Sequence, residues 1–316
     1  MVLRWGIIGA ATIAKEKIIP AILKNGGSIQ AIASFSRNID GWIREFDIKE
    51  VYREYEALLK SENIEAVYIA LPNSLHYTWT MEALKHNKHV LVEKPIVLDV
   101  EQMQDIKRLA EKENLVVMEA FMYRFHPQIK ALKEMMKNKE IGDIVSMSSN
   151  FHFVLENWKN DIRITPNLGG GVLYDIGCYC INIQQYILGE PVKEAKFITE
   201  RYLDVDVKIS GVIQYMNGIV GHIDCSFSGE FTNTFKIIGS EGVIHLPHAF
   251  RSDIHNHLGV IEVYKEQEKN EYYFEGDAYQ LQIENFEQAV RGKKQLYSLE
   301  EMLAQTEALT KLYKII

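Results

Sequence analysis

Cysteine is scarce. The 316 residues contain three, Cys178, Cys180 and Cys225, with no CxxC pair. An odd count gives no disulfide framework, so the three are expected to be small buried thiols in a reducing compartment. Seven prolines and twenty glycines are too few for a collagenous or low-complexity chain. Positive charge is in deficit: 35 Lys and Arg against 43 Asp and Glu give a formal net charge of −8. That balance argues against a nucleic-acid backbone or an anionic membrane as the main partner. No stretch reaches the ~18 uncharged apolar residues that a spanning helix needs. Met1-Val2-Leu3-Arg4-Trp5-Gly6 shows no basic leader, long apolar core or small-residue cleavage site, so a cytoplasmic protein is expected.

What is present is an ordinary globular composition, 47% hydrophobic and 25% charged. A chain of this length suits two domains better than one. Up to about residue 120, short apolar runs alternate with helical patterns. The runs are Leu3 to Ile8, Ile29 to Ser34, Ala66 to Leu71, His89 to Val92 and Leu115 to Met118. The helical stretches are Ile13 to Leu23, Tyr55 to Lys60, Ser74 to His86 and Asp99 to Glu113, the last with Asp99 as N-cap. Apolar strands alternating with helices predict βαβ units and a parallel sheet covered on both faces. Beyond that point strands dominate, with turn signals between them. Asn217-Gly218 separates Val207 to Tyr215 from Ile219 to Phe227, which predicts an antiparallel hairpin. The expected fold is therefore α/β: a doubly wound Rossmann domain over residues 1–121, then an α+β domain over 122–316 with a large open, mainly antiparallel sheet.

Gly6-Ile7-Ile8-Gly9-Ala10-Ala11-Thr12-Ile13-Ala14 sits at the first strand-to-helix turn. Against the G-x-G-x-x-G/A fingerprint, Gly9 supplies the tight turn. Ala11 stands where the close approach to a pyrophosphate is made, and Ala14 lets the helix pack on the sheet. The helix N-terminus around Thr12 and Ile13 then offers free N–H groups to phosphates. Ala11 departs from the usual glycine. An NAD site usually has an acid at the end of the second strand, but no acidic residue lies between Glu16 and Asp40. The strand ends Ser34-Phe35-Ser36-Arg37, and hydroxyls with a guanidinium suit a 2′-phosphate. NADP is predicted, with NAD as the other possibility. Either Ser34 or Ser36 meets the phosphate.

Ligands of an open parallel sheet bind beyond the carboxyl ends of its strands. Those ends carry Leu71-Pro72-Asn73-Ser74 followed by His76, then Glu93-Lys94-Pro95, then Glu119-Ala120-Phe121-Met122-Tyr123-Arg124. An ammonium held at Lys94 beside a nicotinamide would help a substrate hydroxyl lose its proton; the ordinary alternative is a surface ion pair. Asp175 and Tyr179 are four apart, so on an α-helix they share a face. Tyr179 is either an acid–base or a buried tyrosine with a satisfied hydroxyl.

Glu93-Lys94-Pro95, Leu71 to His76, Met118 to Pro127, and Gly169-Gly170-Gly171 through Asp175-Ile176-Gly177-Cys178-Tyr179 together resemble the glucose–fructose oxidoreductase/inositol dehydrogenase/MocA family. Within it they are most similar to the branch with dihydrodiol dehydrogenase and NADP-dependent xylose dehydrogenase. The resemblance implies a dehydrogenase acting on CH–OH groups of a sugar, polyol or cyclic diol. It implies that Lys94 is the catalytic lysine, that Tyr179 exchanges the proton with Lys94 lowering its pKa, and that Asp175 orients substrate or lysine. It places Leu71, Pro72, Asn73, His76 and Glu93 with Lys94 around the cofactor. It also implies a homodimer or higher homo-oligomer through the open sheet. The other readings are an NAD-dependent glycosidase with a transient redox step, and a non-catalytic dinucleotide-binding regulator. His255-Asn256-His257 lacks further ligands nearby, so no metal is expected. Trp158, Asp161 and Arg163 are left without a role.

Overall fold

The computed structural model describes residues 2–35 and 39–316. They fall into two compact units, Met1–Ala120 with Tyr279–Thr306, and Phe121–Ala278 with Glu307–Ile316.

The first unit is built on six parallel strands, β1 (Arg4–Ile8), β2 (Ser28–Ala33), β3 (Glu50–Tyr52), β4 (Ala66–Ile69), β5 (His89–Val92) and β6 (Val117–Glu119), in the order β3-β2-β1-β4-β5-β6. This is the doubly wound order, with its switch point between β1 and β4. β4 and β6 are buried at every residue, as strands covered on both faces must be. β3 is a three-residue, half-exposed edge strand without an apolar run, which is why the sequence pattern does not announce it. Helices α1 (Ile19–Lys24), α2 (Asp40–Glu45), α3 (Tyr55–Leu59), α4 (Asn73–Lys85) and α5 (Val100–Glu113) connect the strands. The Asp99 carboxylate caps α5 by accepting from Gln102 N at 2.9 Å, as expected. Ahead of α1, Ala14–Ile18 forms a π turn. Pro20 follows it: an internal proline has no N–H to donate and its ring crowds the carbonyl one turn back, so a widened turn is a natural relief.

The second unit opens with α6 (Pro127–Lys137) and carries an eight-stranded sheet. Its strands are β7 (Ile144–Val154), β8 (Val192–Tyr202), β9 (Val205–Tyr215), β10 (Val220–Ser226), β11 (Ser228–Gly239), β12 (Val243–Leu246), β13 (Leu258–Lys265) and β14 (Glu268–Glu275), in the order β14-β13-β12-β11-β7-β10-β9-β8. Every pairing is antiparallel except β7 with β10. The β9–β10 hairpin turns at Asn217-Gly218, as its dipeptide predicts. Met147, Ser149 and Phe151 of β7 are buried, and the residues between them are half-exposed. The buried face meets α7 (Cys178–Leu188), where Ser149 Oγ donates to Cys180 O at 3.2 Å and Gln184 Nε2 donates to Ser149 Oγ at 2.6 Å. The three cysteines are free and buried.

The remaining helices are α8 (Ala278–Val290) and α9 (Leu299–Tyr313). Tyr279–Thr306 packs with the first unit. Phe286 lies against Trp5 (4.9 Å between ring centroids), and the buried Glu287 accepts from Trp5 Nε1 at 3.3 Å and Asn25 Nδ2 at 2.9 Å.

Candidate active site

The carboxyl edge of the six-stranded sheet gathers most of the residues singled out from the sequence. Gly9 follows β1 with φ +92°, a conformation L-residues rarely adopt. Its N–H donates to Ala33 O at 3.0 Å, and a Cβ there would stand 2.5 Å from Ala70 O. Thus β1, β2 and β4 converge on one glycine at the switch point. Ala11 and Ile13 are half-exposed and Thr12 is exposed, so the start of the helix faces out. A dinucleotide fits this turn: it offers backbone N–H groups, a positive helix end, no Cβ at the tight Gly9 turn and only a methyl at Ala11. Ser34 follows β2, 4% exposed, and its N–H donates to Tyr52 O at 3.3 Å. Neither it nor Phe35 beside it brings a carboxylate to the edge. Phe35 is exposed and edge-on to Tyr55 at 4.5 Å. Ser36 and Arg37 lie outside the described residues.

Leu71, Pro72 and Asn73 follow β4, half-exposed. Glu93 and Lys94 follow β5, also half-exposed, and the Lys94–Pro95 bond is cis. Glu93 accepts from the Tyr68 hydroxyl at 2.5 Å. His76 is fully buried; its Nδ1 lies 2.8 Å from Pro95 O and its Nε2 2.8 Å from Leu71 O. Both ring nitrogens therefore meet main-chain carbonyls. Burial lowers the pKa of the ring, the two carbonyls work against that, and the charge of Lys94 adds to the lowering.

In the second unit Tyr179 is 7% exposed, and its hydroxyl donates to Met122 Sδ at 3.8 Å. The rings of Phe121, Tyr123, Phe151 and Phe250 surround it at 5.1 to 5.9 Å. Asp175 goes elsewhere, accepting from Arg163 Nε at 2.8 Å. Asp175 lies in a π turn, Leu173–Gly177, which runs directly into α7, the helix that carries Tyr179. Arg163 also reaches both Asp161 oxygens at 3.2 Å. The Asp175 charge, resisted by burial and helped by Asp161, holds the guanidinium pKa above its usual value. Arg163 thus fixes the direction of Asp175. Its place in the irregular 157–168 stretch concealed that role.

Asp206 carried no signal in the sequence. It is 1% exposed on β9, and its Oδ2 accepts from Leu173 N at 2.6 Å at the start of the helix that carries Asp175 and Tyr179. Its Oδ1 occupies the space a side chain on Gly171 would need. Burial pushes its carboxyl up to about 6, against the backbone donors. The folded protein therefore binds this proton more tightly than the unfolded chain does. The group's stability contribution is greatest below pH ~4 and is lost as pH rises to about 6. Asp206→Asn removes the titration while keeping an acceptor. The stability of wild type minus variant, from urea unfolding, should fall by on the order of 2 kcal/mol between pH ~4 and ~6.5; a flat difference would refute the shift.

Among the described residues no group of three or more His, Cys, Asp or Glu is placed to hold a metal ion, and no helix is long and apolar enough to cross a membrane. His255 stacks on His248 at 3.4 Å, while His257 points to Asp277 at 3.9 Å. Trp158 packs edge-on to Tyr202 at 5.5 Å.

Sequence comparison decides the family. The model of the oxidoreductase family GFO/IDH/MocA, NAD-binding Rossmann fold, matches residues 3–121, and that of the GFO/IDH/MocA C-terminal domain matches residues 129–245. The chain belongs to the GFO/IDH/MocA family. The resemblance read from its motifs is thereby borne out, and so is the α/β fold with a parallel and a separate, mainly antiparallel sheet. D-xylose 1-dehydrogenase (NADP(+)) 2 of Haloferax volcanii is 32% identical over 313 residues, 98% of this chain and 96% of that one. Trans-1,2-dihydrobenzene-1,2-diol dehydrogenase of Mus musculus is 30% identical over 252 residues, 78% of this chain and 75% of that one. The crystal structure of a 3-ketoreductase from Actinomadura kijaniata in complex with NADP and TDP-benzene matches with a TM-score of 0.88 at 28% identity, covering 97% of this chain and 95% of that one. Other structures of that reductase carry a replacement of one lysine or of one tyrosine.

Proposed function

We propose that this family member is an NADP-dependent dehydrogenase that moves a hydride between the nicotinamide and a hydroxyl or carbonyl carbon of a sugar, polyol or cyclic diol. One observation carries the reading. The Gly9 turn, a β2 terminus without a carboxylate and the Lys94 loop share one edge of a β3-β2-β1-β4-β5-β6 sheet. The NADP-dependent xylose dehydrogenase and the NADP complex of the ketoreductase support the cofactor. Gly9, Ala11, Thr12 and Ile13 would hold the pyrophosphate, Ser34 with Ser36 and Arg37 the 2′-phosphate, and Leu71, Pro72, Asn73 and Glu93 the nicotinamide end. When bound, NADP supplies the hydride acceptor or donor. Lys94 and Tyr179 handle the hydroxyl proton, and Asp175, aimed by Arg163, orients the substrate. A homodimer through the half-exposed face of the eight-stranded sheet belongs to the same proposal, supported by the exposed Ile198, Val212 and Ile238.

The test is absorbance at 340 nm across aldoses, inositols and diols, with NADP and NAD side by side. Net NADPH formation from at least one polyhydroxylated substrate is expected. Arg37→Ala should then weaken NADP by ~10-fold or more while NAD changes little, since only NADP presents a charged 2′-phosphate. Tight NAD retained through turnover, with no free reduced cofactor, would instead favour the glycosidase reading.

A further inference from the structure

We propose that His76 and Glu119 are positioning residues that clamp the Lys94 loop from two sides and thereby set where its ammonium stands. The proposal rests on the reading of Lys94 given above. Three of the residues around Lys94 are tied down. Glu93 is held by the Tyr68 hydroxyl, Pro95 O faces His76 Nδ1 at 2.8 Å, and Ile96 N donates to Glu119 Oε1 at 2.9 Å. Both clamps are anchored in turn. His76 Nε2 meets Leu71 O at 2.8 Å, so one ring joins the turn after β4 to the loop after β5. Glu119, at the end of β6, accepts from the Tyr297 hydroxyl at 2.7 Å through Oε2.

Both side chains have no exposed surface. Burial of that kind is costly for a polar group, and at His76 the cost depends on the protonation state of the ring. A neutral imidazole donates to one carbonyl and turns a lone pair on the other; an imidazolium donates to both but carries a buried charge beside Lys94. An apolar side chain would avoid that cost but leave the main-chain partners unpaired. What the polar groups add is direction: they fix backbone atoms one and two residues beyond Lys94, where packing alone would leave the loop free to slide.

The experiment reads Lys94 directly. The intact protein is acetylated with trace acetic anhydride across pH, and Lys94 is quantified by peptide mass spectrometry, beside kcat and NADP affinity. His76→Leu and Glu119→Leu should shift the labelling midpoint of Lys94 by about half a pH unit or more and lower kcat ~10- to 100-fold, more than they weaken NADP. Glu119→Gln, which keeps an acceptor for Ile96 N, should restore the midpoint and most of kcat. Should the leucine variants fail to fold, Tyr297→Phe removes one hydroxyl and should give a smaller shift in the same readouts. A folded variant with unchanged midpoint and unchanged kcat overturns the proposal. Full turnover by Lys94→Met would sink the catalytic reading of Lys94 but leave the labelling result standing, so the two failures are told apart.

Discussion

Lys94→Ala should lower kcat by ~10²-fold or more at saturating substrate and cofactor, the scale of a lost acid–base partner. The loss should fall mainly on kcat, because an ammonium that polarises the reacting C–OH interacts more strongly as charge develops on oxygen than in the ground state. NADP affinity, from quenching of intrinsic fluorescence, should move by less than ~10-fold, since the phosphates are assigned to the Gly9 turn rather than to Lys94. Tyr179→Phe tests the other half of the pair. If the two act on one proton, the double variant should lose little more than the worse single one, because groups that act as a unit are not additive. Turnover near wild type in Lys94→Ala, with both ligands saturating, removes the residue from the mechanism.

What could be read ahead of the structure was local chemistry. A glycine after an apolar run, an Asn-Gly between two alternating runs and an Asp ahead of an amphipathic stretch each act on a few neighbouring residues. The β1 turn, the β9–β10 hairpin and the α5 cap formed where these signals stood. Three kinds of feature were not legible. Long-range returns leave no local mark: Phe286 meets Trp5 and Tyr297 meets Glu119 from the far end of the chain. Backbone irregularity leaves no mark in the pattern: the run that leads into α7 is a π turn over Leu173–Gly177, which residue spacing does not announce. Polar partners look like ordinary residues in sequence, so the roles of the half-exposed Arg163 and the buried Asp206 and Glu119 emerged only with their hydrogen bonds. His76 shows the same limit from the other side. Its motif marked it as important, but the ring binds Pro95 and Leu71 carbonyls, which no spacing reveals.

Gly9→Ala is expected to cost on the order of 3 kcal/mol of stability and at least ~10-fold in NADP affinity, from two separable causes. The first is conformational: φ +92° strains any residue with a Cβ, at roughly 1–2 kcal/mol. The second is the close approach. The new methyl would sit 2.5 Å from Ala70 O and 2.8 Å from Leu71 Cδ2. Ala70 O is main chain, and its neighbourhood is pinned, because Ala70 N donates to Ile8 O at 2.9 Å while Gly9 N donates to Ala33 O at 3.0 Å. No side-chain rotation relieves that contact, so β1 and β4 must part at the switch point, where the dinucleotide is to lie. Gly26→Ala supplies the control. Its φ is +83°, yet nothing stands within 4 Å of its added Cβ. It should show the conformational cost alone, a Tm lower by about 2–4 °C, against about 5–10 °C for Gly9→Ala. Its NADP affinity should be unchanged. Ala11→Gly, which restores the usual fingerprint residue, should bind NADP at least as well as wild type. Equal Tm and equal NADP affinity in the two glycine variants would mean that the convergence of β1 and β4 on Gly9 does not shape the cofactor site.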